Sequence, residues 1–336
     1  MRKALLIPLV IIVLLLSSSE CPAPFIYTPG EGWSYETPGQ AGNWQRDTAR
    51  EQIDVAKAAY EEGDYKIAVK AAGRVIREWP FSDYAPEAQY VTALSYQGNH
   101  RDEKAFKAYQ SLITRYPKYE KYDEVLKQQF EITNKFLEGQ RFRLWGLFPI
   151  FRSMDRTTEM YKELIQNGPF SEVAPEAQLN IGTARENKKD FAGAVVAYET
   201  AADKYSDLEG IAEDALFRAG EALRMEAKEA EYDQSVSSRA IEVFNDFMAL
   251  HPKDDRIDLA DTYIRELREE QARGSLQIAR YYDKKHIDRG ALTYYNEVVD
   301  IFSRLLNDTD HEYAIEARER IAQLKVQVLE AETPSE

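Results

Sequence analysis

The sequence has 336 residues, of which 44% are hydrophobic and 30% are charged, and its formal net charge is −15. This balance is typical of a folded domain or a long repeat array and excludes a disordered polar chain. The negative charge disfavours nucleic-acid binding, because phosphate backbones repel it, and the single cysteine excludes an internal disulfide framework or a cysteine-rich zinc site.

Residues 1–20 have the pattern of a secretory signal peptide. A basic start, Met1-Arg2-Lys3, precedes an apolar run from Ala4 to Leu16 that is too short for an ordinary membrane span. The pattern predicts export across a membrane.

The only cysteine, Cys21, directly follows this segment, and its position resembles the lipid-attachment site of bacterial lipoproteins. The resemblance implies that Cys21 carries a diacylglycerol and becomes the mature N-terminus. The lipoprotein pattern has an aliphatic residue three positions before the cysteine and a small residue directly before it, where this chain has Ser18 and Glu20. Cleavage after Ser19, which leaves an unmodified thiol in a soluble periplasmic protein, therefore stays open as the alternative.

Residues 21–44 mix proline, glycine and aromatic residues with no helical period, which predicts an extended tether stiffened by its prolines. Two placements of Trp33, Tyr35 and Trp44 remain open. They contact a membrane interface, or they fold back onto the rest of the protein.

From residue 45 to residue 330 the apolar residues follow a helical period, and the same order of residue types recurs. In the first unit, small residues, a Gly-Asp turn, more small residues and a closing proline follow one another: Ala56, Ala59, Tyr60, Gly63, Asp64, Tyr65, Ala68, Ala72, Val75 and Pro80. Six such units end at Pro80, Pro117, Pro169, Ser206, Pro252 and Ser303. This order is typical of tetratricopeptide repeats. It predicts an all-α superhelix of about five to six helical hairpins, with a capping helix at 313–329 and a disordered tail at 331–336.

The joints that follow the first and third units share a sequence. WPFSDYAPEAQY at 79–90 and GPFSEVAPEAQL at 168–179 are identical at eight of twelve positions. A shared structural joint explains the similarity, since each proline ends one helix and Pro86 or Pro175 begins the next. An alternative is that Phe81, Tyr84 and Tyr90 line a binding pocket.

The third unit contains an insert at 139–155, GQRFRLWGLFPIFRSMD, which combines aromatic residues with arginines in an acidic protein. Such a composition is typical of interaction surfaces, and packing of the insert against the repeats is the alternative. The candidate binding residues of the insert are Arg141, Arg143, Trp145, Phe148, Phe151 and Arg152.

No nucleotide-binding or metalloprotease motif is present, and the four histidines lie far apart in the sequence: His100, His251, His286 and His311. We therefore expect no catalytic residues, no cofactor and no metal site.

Three segments resemble the BamD family of lipoproteins, which help to assemble β-barrel proteins in bacterial outer membranes. They are EEGDYKIAVKAAGRVIREWPFSDYAPEAQY at 61–90, WGLFPIFRSMDR at 145–156, and LQIARYYDKKHIDRGALTYYNEVVDIF at 276–302. The resemblance covers most of the chain from about Ala49 to His311.

The resemblance implies a non-enzymatic scaffold at the periplasmic face of the outer membrane. Its partners would be the barrel-forming assembly protein, other assembly lipoproteins, unfolded outer-membrane proteins, and the membrane itself through an N-terminal lipid. Unfolded clients would bind near the first units, and we expect Tyr65, Phe81, Tyr84 and Tyr90 to act as their aromatic anchors. The alternative is a periplasmic repeat scaffold for cell division or envelope maintenance.

Overall fold

The computed structural model describes residues 44–144, 148–208, 210–229 and 234–332, and two short strands at 25–28 and 32–35. Only the backbone is described at 25–28, 32–35, 144, 148–150, 229 and 329–332. The signal peptide and Cys21 lie outside the described residues. The chain divides into two compact units, Met1–Tyr122 and Asp123–Glu336.

Helices dominate both units. In the described part of the chain they are α1 Ala49–Glu61, α2 Tyr65–Glu78, α3 Ala85–Gly98, α4 Asp102–Arg115, α5 Tyr122–Leu137, α6 Met154–Asn167, α7 Ala174–Glu186, α8 Phe191–Lys204, α9 Ile211–Glu229, α10 Gln234–Leu250, α11 Ile257–Lys284, α12 Asp288–Asp300 and α13 Glu312–Glu332. Consecutive helices pair into six hairpins, and α13 packs on the last one. The all-α prediction, with six hairpins and a C-terminal capping helix, is confirmed.

Five of the hairpin turns share one hydrogen bond. The backbone N–H of the residue that ends the turn donates to a carbonyl five residues earlier, at 2.8–3.0 Å: Asp64 to Ala59, Arg101 to Tyr96, Gln140 to Lys135, Asp190 to Arg185 and Ile287 to Tyr282. The preceding residue in each turn is left-handed: Gly63, His100, Gly139, Lys189 and His286. This is the Schellman arrangement, which satisfies the last carbonyls of a helix. The Gly-Asp turn predicted from the sequence is therefore one instance of a turn whose left-handed position is also occupied by histidine or lysine.

Small residues lie where paired helices approach each other. Ala56, Ala72 and Ala88 are fully buried in the core of the first hairpin and of the helix that follows it. At Gly182, a Cβ atom would collide with the ring of Tyr198 from the paired helix. A methyl group at this position would therefore force the aromatic ring out of the core.

The longer units contain three different additions. The third hairpin has a two-stranded sheet, β3 Phe142–Leu144 with β4 Phe148–Phe151, inserted between its helices. The fifth has a long first helix, α9, and the sixth begins with the 28-residue α11. Ala260, Ile264 and Leu267 of α11 belong to one hydrophobic core, whereas Leu276 and Ala279 belong to the next. One continuous helix thus links two cores.

Two antiparallel strands, β1 Phe25–Thr28 and β2 Gly32–Tyr35, lie in the segment expected to be a tether. Trp44 packs against the core of α1 and α2, and its carbonyl accepts a hydrogen bond from the Gln52 side chain at 3.0 Å. Trp44 is therefore folded back onto the repeats, which is one of the two placements considered for it.

The C-terminal helix α13 buries Ala314, Ala317, Ile321 and Leu324 against α11 and α12. It continues to Glu332, into the segment predicted as a tail. Among the described residues, no helix has both the length and the apolar composition needed to cross a bilayer.

Candidate protein-binding surfaces

The joint between the first two hairpins presents one phenylalanine entirely to solvent. Phe81 is 100% exposed, and Tyr84 nearby is 38% exposed. The turn itself is ordered, because the backbone N–H and the hydroxyl of Ser82 both donate to the Trp79 carbonyl oxygen, at 3.1 and 2.9 Å. The Tyr116 hydroxyl donates to the Pro80 carbonyl oxygen at 3.2 Å. Phe81 is therefore an exposed apolar side chain on a restrained backbone.

The joint after the third hairpin has the same construction. Phe170 is 97% exposed, and the N–H and hydroxyl of Ser171 donate to the Gly168 carbonyl oxygen at 3.1 and 2.7 Å. The Tyr205 hydroxyl donates to the Pro169 carbonyl oxygen at 3.5 Å. Phe170 was not singled out from the sequence, although the repeated PFS segment contained the necessary signal.

Tyr90 is a core residue, and its expected role as a client anchor is corrected. Only 9% of Tyr90 is exposed. Its ring centroid lies 6.1 Å from that of Tyr109 and 5.7 Å from that of Tyr119, and the Lys121 ammonium lies 4.9 Å from its centre. These contacts occupy the ring, so an incoming peptide cannot reach it without displacing them.

Tyr65 also packs within the repeats. It is half-buried, and its ring centroid lies 5.9 Å from that of Tyr60. A Cβ atom at Gly98 would lie 2.6 Å from the Tyr65 ring, which shows how closely this ring covers the end of α3. Of the four expected anchors, Phe81 and Tyr84 are the two that the structure leaves well exposed.

A polar cluster centred on Glu87 fastens the segment after α4 onto α3. The Glu87 carboxylate accepts the Tyr119 hydroxyl and lies 3.1 Å from the Lys57 ammonium and 3.6 Å from that of Lys121. Burial by itself would raise the pKa of Glu87, but the Tyr119 hydrogen bond and the two ammonium groups lower it below its usual value. A charged Glu87 thus stabilises the chain that surrounds Tyr90.

The inserted β-hairpin packs against the helices through Phe142, at its base. Phe142 is buried, and its ring stacks on that of Phe136 at 4.2 Å. Phe151, which is partly exposed, also stacks on Phe142, with ring centroids 6.1 Å apart. The Arg156 guanidinium lies 5.2 Å from the Phe142 ring centre and 5.5 Å from that of Phe151. The base of the insert therefore packs against the repeats, and the role of the insert as an interaction surface stays a prediction.

The three candidate arginines of the insert occupy different positions. Arg141 is exposed and Arg143 is half-buried. The exposed Arg152 donates from Nε to the Gly139 carbonyl oxygen at 3.0 Å and so closes the base of the hairpin. Trp145 lies outside the described residues, and only the backbone of Phe148 is described.

A groove of about 950 Å³ lies in the second unit, along α11 and between α9, α10 and the start of α13. At one end the Arg224 guanidinium lies 3.9 Å from the Tyr263 ring centre and 3.2 Å from the Glu266 carboxylate. At the other end Tyr281, 59% exposed, lies beside Tyr282. Sequence reasoning missed this groove because its walls are formed only when side chains from four separate helices pack together.

The histidines lie in different turns and helix ends of the structure. His100 and His286 occupy left-handed turn positions, and the His311 ring stacks on Phe302 at 4.1 Å. Among the described residues, no group of three or more histidine, cysteine, aspartate or glutamate side chains is placed to hold a metal ion.

Residues 87–119 and 176–207 match the family model of the tetratricopeptide repeat. The chain contains tetratricopeptide repeats. The matched segments correspond to the α3–α4 and α7–α8 hairpins, which follow the two PFS joints. Tetratricopeptide repeats are scaffolds for protein–protein interaction, and that is the level of function which the match supports.

Several solved structures match the chain at low sequence identity. The C-terminal part of a TPR repeat-containing protein from Cytophaga hutchinsonii is 13% identical, covers 81% of this chain and 88% of its own, and has a TM-score of 0.36. A tetratricopeptide repeat protein from Parabacteroides merdae is 10% identical, covering 82% and 98%, with a TM-score of 0.34. MamA from Desulfovibrio magneticus is 12% identical, covering 62% and 98%, with a TM-score of 0.32. No curated protein matches the sequence.

Proposed function

We propose that this protein is a lipid-anchored, non-enzymatic scaffold subunit of the machinery that assembles β-barrel proteins in the bacterial outer membrane. It binds the barrel-forming assembly subunit and unfolded outer-membrane proteins from the periplasmic face. The three segments that resemble the BamD family, the secretory signal and the position of Cys21 support this specific role. The tetratricopeptide repeats support the more general role of a protein-binding scaffold.

The full exposure of Phe81 carries the client-binding part of the proposal. Unfolded outer-membrane proteins are extended chains with apolar and aromatic side chains, and Phe81 with Tyr84 offers them an aromatic contact. The restrained turn at Ser82 and the Tyr116 hydrogen bond limit the entropy that the joint loses on binding. Phe170 offers an equivalent contact in the second unit.

The exposed side of the inserted hairpin is the second surface that we assign to a partner. Arg141 and Phe151 combine a cation with an accessible aromatic edge, while the stack with Phe142 and Phe136 holds the hairpin base in place. Arginine and aromatic residues contribute much of the binding energy in protein interfaces. We propose that this side contacts another assembly subunit.

Site-specific crosslinking in native envelopes tests the proposal. A photo-reactive amino acid replaces Phe81, Phe151 or, as a matched control, the exposed Val196 on α8. We expect unfolded outer-membrane proteins to be captured at Phe81 and the barrel-forming subunit or another assembly lipoprotein at Phe151, with neither enriched at Val196.

Capture of cell-division or peptidoglycan proteins alone would contradict the proposal and favour the periplasmic scaffold alternative. Equal capture at Phe81 and Val196 would contradict the assignment of the joint as the client site. Mass spectrometry of the mature N-terminus tests the anchor separately, and an unmodified residue at or before Cys21 would rule out lipidation.

A further inference from the structure

The strands β1 and β2 pair residue by residue. Their register is Phe25 with Tyr35, Ile26 with Ser34, Tyr27 with Trp33, and Thr28 with Gly32. Successive residues of a strand belong to opposite faces of a sheet, and directly paired residues belong to the same face. The register therefore assigns Phe25, Tyr27, Trp33 and Tyr35 to one face.

The two faces differ sharply in composition. The first is entirely aromatic, whereas the second consists of Ile26, Thr28, Gly32 and Ser34. Glu31 is the only charged residue between Pro22 and Tyr35, in a chain whose net charge is −15. Tryptophan and tyrosine are the residues enriched at membrane–water interfaces, where an apolar ring and a polar group are both accommodated.

The position of the hairpin along the chain brings it close to the proposed anchor. Phe25 follows Cys21 by four residues, which span at most about 14 Å when fully extended. If Cys21 carries a lipid, as the proposed function requires, β1 begins within that distance of the acylated residue. The bilayer that holds such a lipid is then within the same reach of the hairpin.

We propose that the aromatic face formed by Phe25, Tyr27, Trp33 and Tyr35 lies against the headgroup region of the membrane and is a second membrane contact beside the lipid. The near absence of charge on this segment removes the repulsion that the acidic repeats experience near anionic lipid. The opposite face, which has no aromatic residue, is left toward water.

The hairpin also shortens the tether. A fully extended chain from Cys21 to Trp44 would reach about 80 Å. Because Phe25 pairs with Tyr35, the chain leaves the hairpin close to where it entered, and the maximum distance from Cys21 to Trp44 falls to about 50 Å. Trp44 itself is packed on α1 and α2. The hairpin thus holds the first repeats closer to the bilayer than an open linker would.

The single cysteine allows a test that does not depend on native lipidation. The mature chain from Cys21 onward is coupled through its thiol to a maleimide lipid in phosphatidylcholine vesicles that contain a doxyl-labelled quencher lipid. The contribution of Trp33 to the fluorescence is the difference between the wild type and Trp33→Phe, and that of Trp44 is obtained in the same way from Trp44→Phe. We expect the quencher to remove at least half of the Trp33 signal and to leave the Trp44 signal unchanged.

Serine variants test which face makes the contact. Tyr27→Ser with Tyr35→Ser removes two aromatics from the proposed face, and we expect it to reduce Trp33 quenching at least twofold. Ile26→Ser with Thr28→Ala alters the opposite face and leaves quenching unchanged. Equal quenching of wild type and Trp33→Phe, or equal effects of the two double variants, overturns the proposal. Failure of Cys21 lipidation or of partner crosslinking would overturn the proposed function and leave this result unaffected.

Discussion

The Tyr116 hydroxyl donates to the Pro80 carbonyl oxygen and so ties the end of the second hairpin to the joint that carries Phe81. Tyr205 and Pro169 repeat the relationship at the joint that carries Phe170, and both pairs are 36 residues apart in sequence. One repeat step thus brings a tyrosine back to the preceding joint. The two most exposed phenylalanines of the described residues lie next to these tied prolines.

Removing the Tyr116 hydroxyl should loosen the first joint. We expect Tyr116→Phe to lower the free energy of unfolding by about 1 kcal/mol, the usual net contribution of one hydrogen bond, and to weaken client binding at Phe81. Urea unfolding and peptide titration measure the two effects. Tyr205→Phe is the matched control, because it removes the equivalent bond at the Phe170 joint while leaving the Phe81 joint intact, so client capture by a crosslinker at Phe81 should fall only in Tyr116→Phe. Equal losses of capture at Phe81 in both variants would contradict a local role for Tyr116.

Phe81 should matter for binding and not for stability. Its side chain is fully exposed, so we expect Phe81→Ala to change the free energy of unfolding by less than about 0.5 kcal/mol. Loss of an aromatic anchor from an interface typically costs about 2 kcal/mol, so the affinity for an unfolded outer-membrane protein segment should fall at least about tenfold. Fluorescence anisotropy with a labelled segment measures this, and an unchanged affinity would exclude Phe81 from the site.

Tyr90 should show the opposite behaviour. Its buried ring contacts Tyr109 and Tyr119, so Tyr90→Ala leaves a cavity and should cost about 3 kcal/mol of unfolding free energy. The affinity of the remaining folded molecules for a client segment should stay within about twofold of the wild type. A stable variant with lost affinity would restore Tyr90 as a binding residue.

The left-handed turn positions should respond to glycine in a predictable way. Gly63 has φ of +79° and Lys189 has φ of +62° in equivalent turns. We expect Gly63→Ala to destabilise the protein by about 1 kcal/mol, because its Cβ is strained at positive φ, and Lys189→Gly to stabilise it by about 0.5 kcal/mol. Gly73→Ala, inside α2 and at ordinary φ, separates this effect from general helix propensity. Thermal unfolding distinguishes the three variants, and destabilisation by Lys189→Gly would contradict the assignment.

One ion pair should contribute to acid unfolding. Side-chain hydrogen bonds from Arg256 are the main reason that the pKa of Asp254 is lowered to about 2 from its usual 3.8. Because the folded pKa lies below the unfolded one, the stabilisation is fully present above about pH 4 and is lost as the pH falls toward 2. We expect both Asp254→Asn and Arg256→Gln to reduce the slope of unfolding free energy against pH in that window. A slope unchanged in both variants would show that the pair makes no pH-dependent contribution.

The helical architecture could be predicted from the sequence because its signals are local. The period of apolar residues, the alanines at Ala56 and Ala72, and the closing prolines at Pro80 and Pro169 each act within a few residues of their own position. The left-handed residue in a Schellman turn is harder to recognise when it is His100 or Lys189, since glycine is the usual residue at this position. The positions of the turns in the sequence were therefore predictable, but their backbone conformation was not.

The short strands were not predicted because strand formation depends on pairing. Phe25–Thr28 and Gly32–Tyr35 are four residues each. The alternation of aromatic and other residues defines two faces only once the register between the strands is known. The same holds for the insert, where the pairing of β3 with β4 and the stack of Phe142 on Phe136 turn an apparently irregular loop into a packed hairpin base.

The sequence by itself determined that this protein is an array of helical hairpins with aromatic residues concentrated at its joints and insert. The tertiary structure decided which of those aromatics face water. Phe81 and Tyr90 belong to one twelve-residue segment, yet Phe81 projects from a turn while Tyr90 lies beneath Tyr109 and Tyr119. Exposure is set by which neighbouring side chains cover a residue, and here those side chains lie 19 and 29 positions further along the chain.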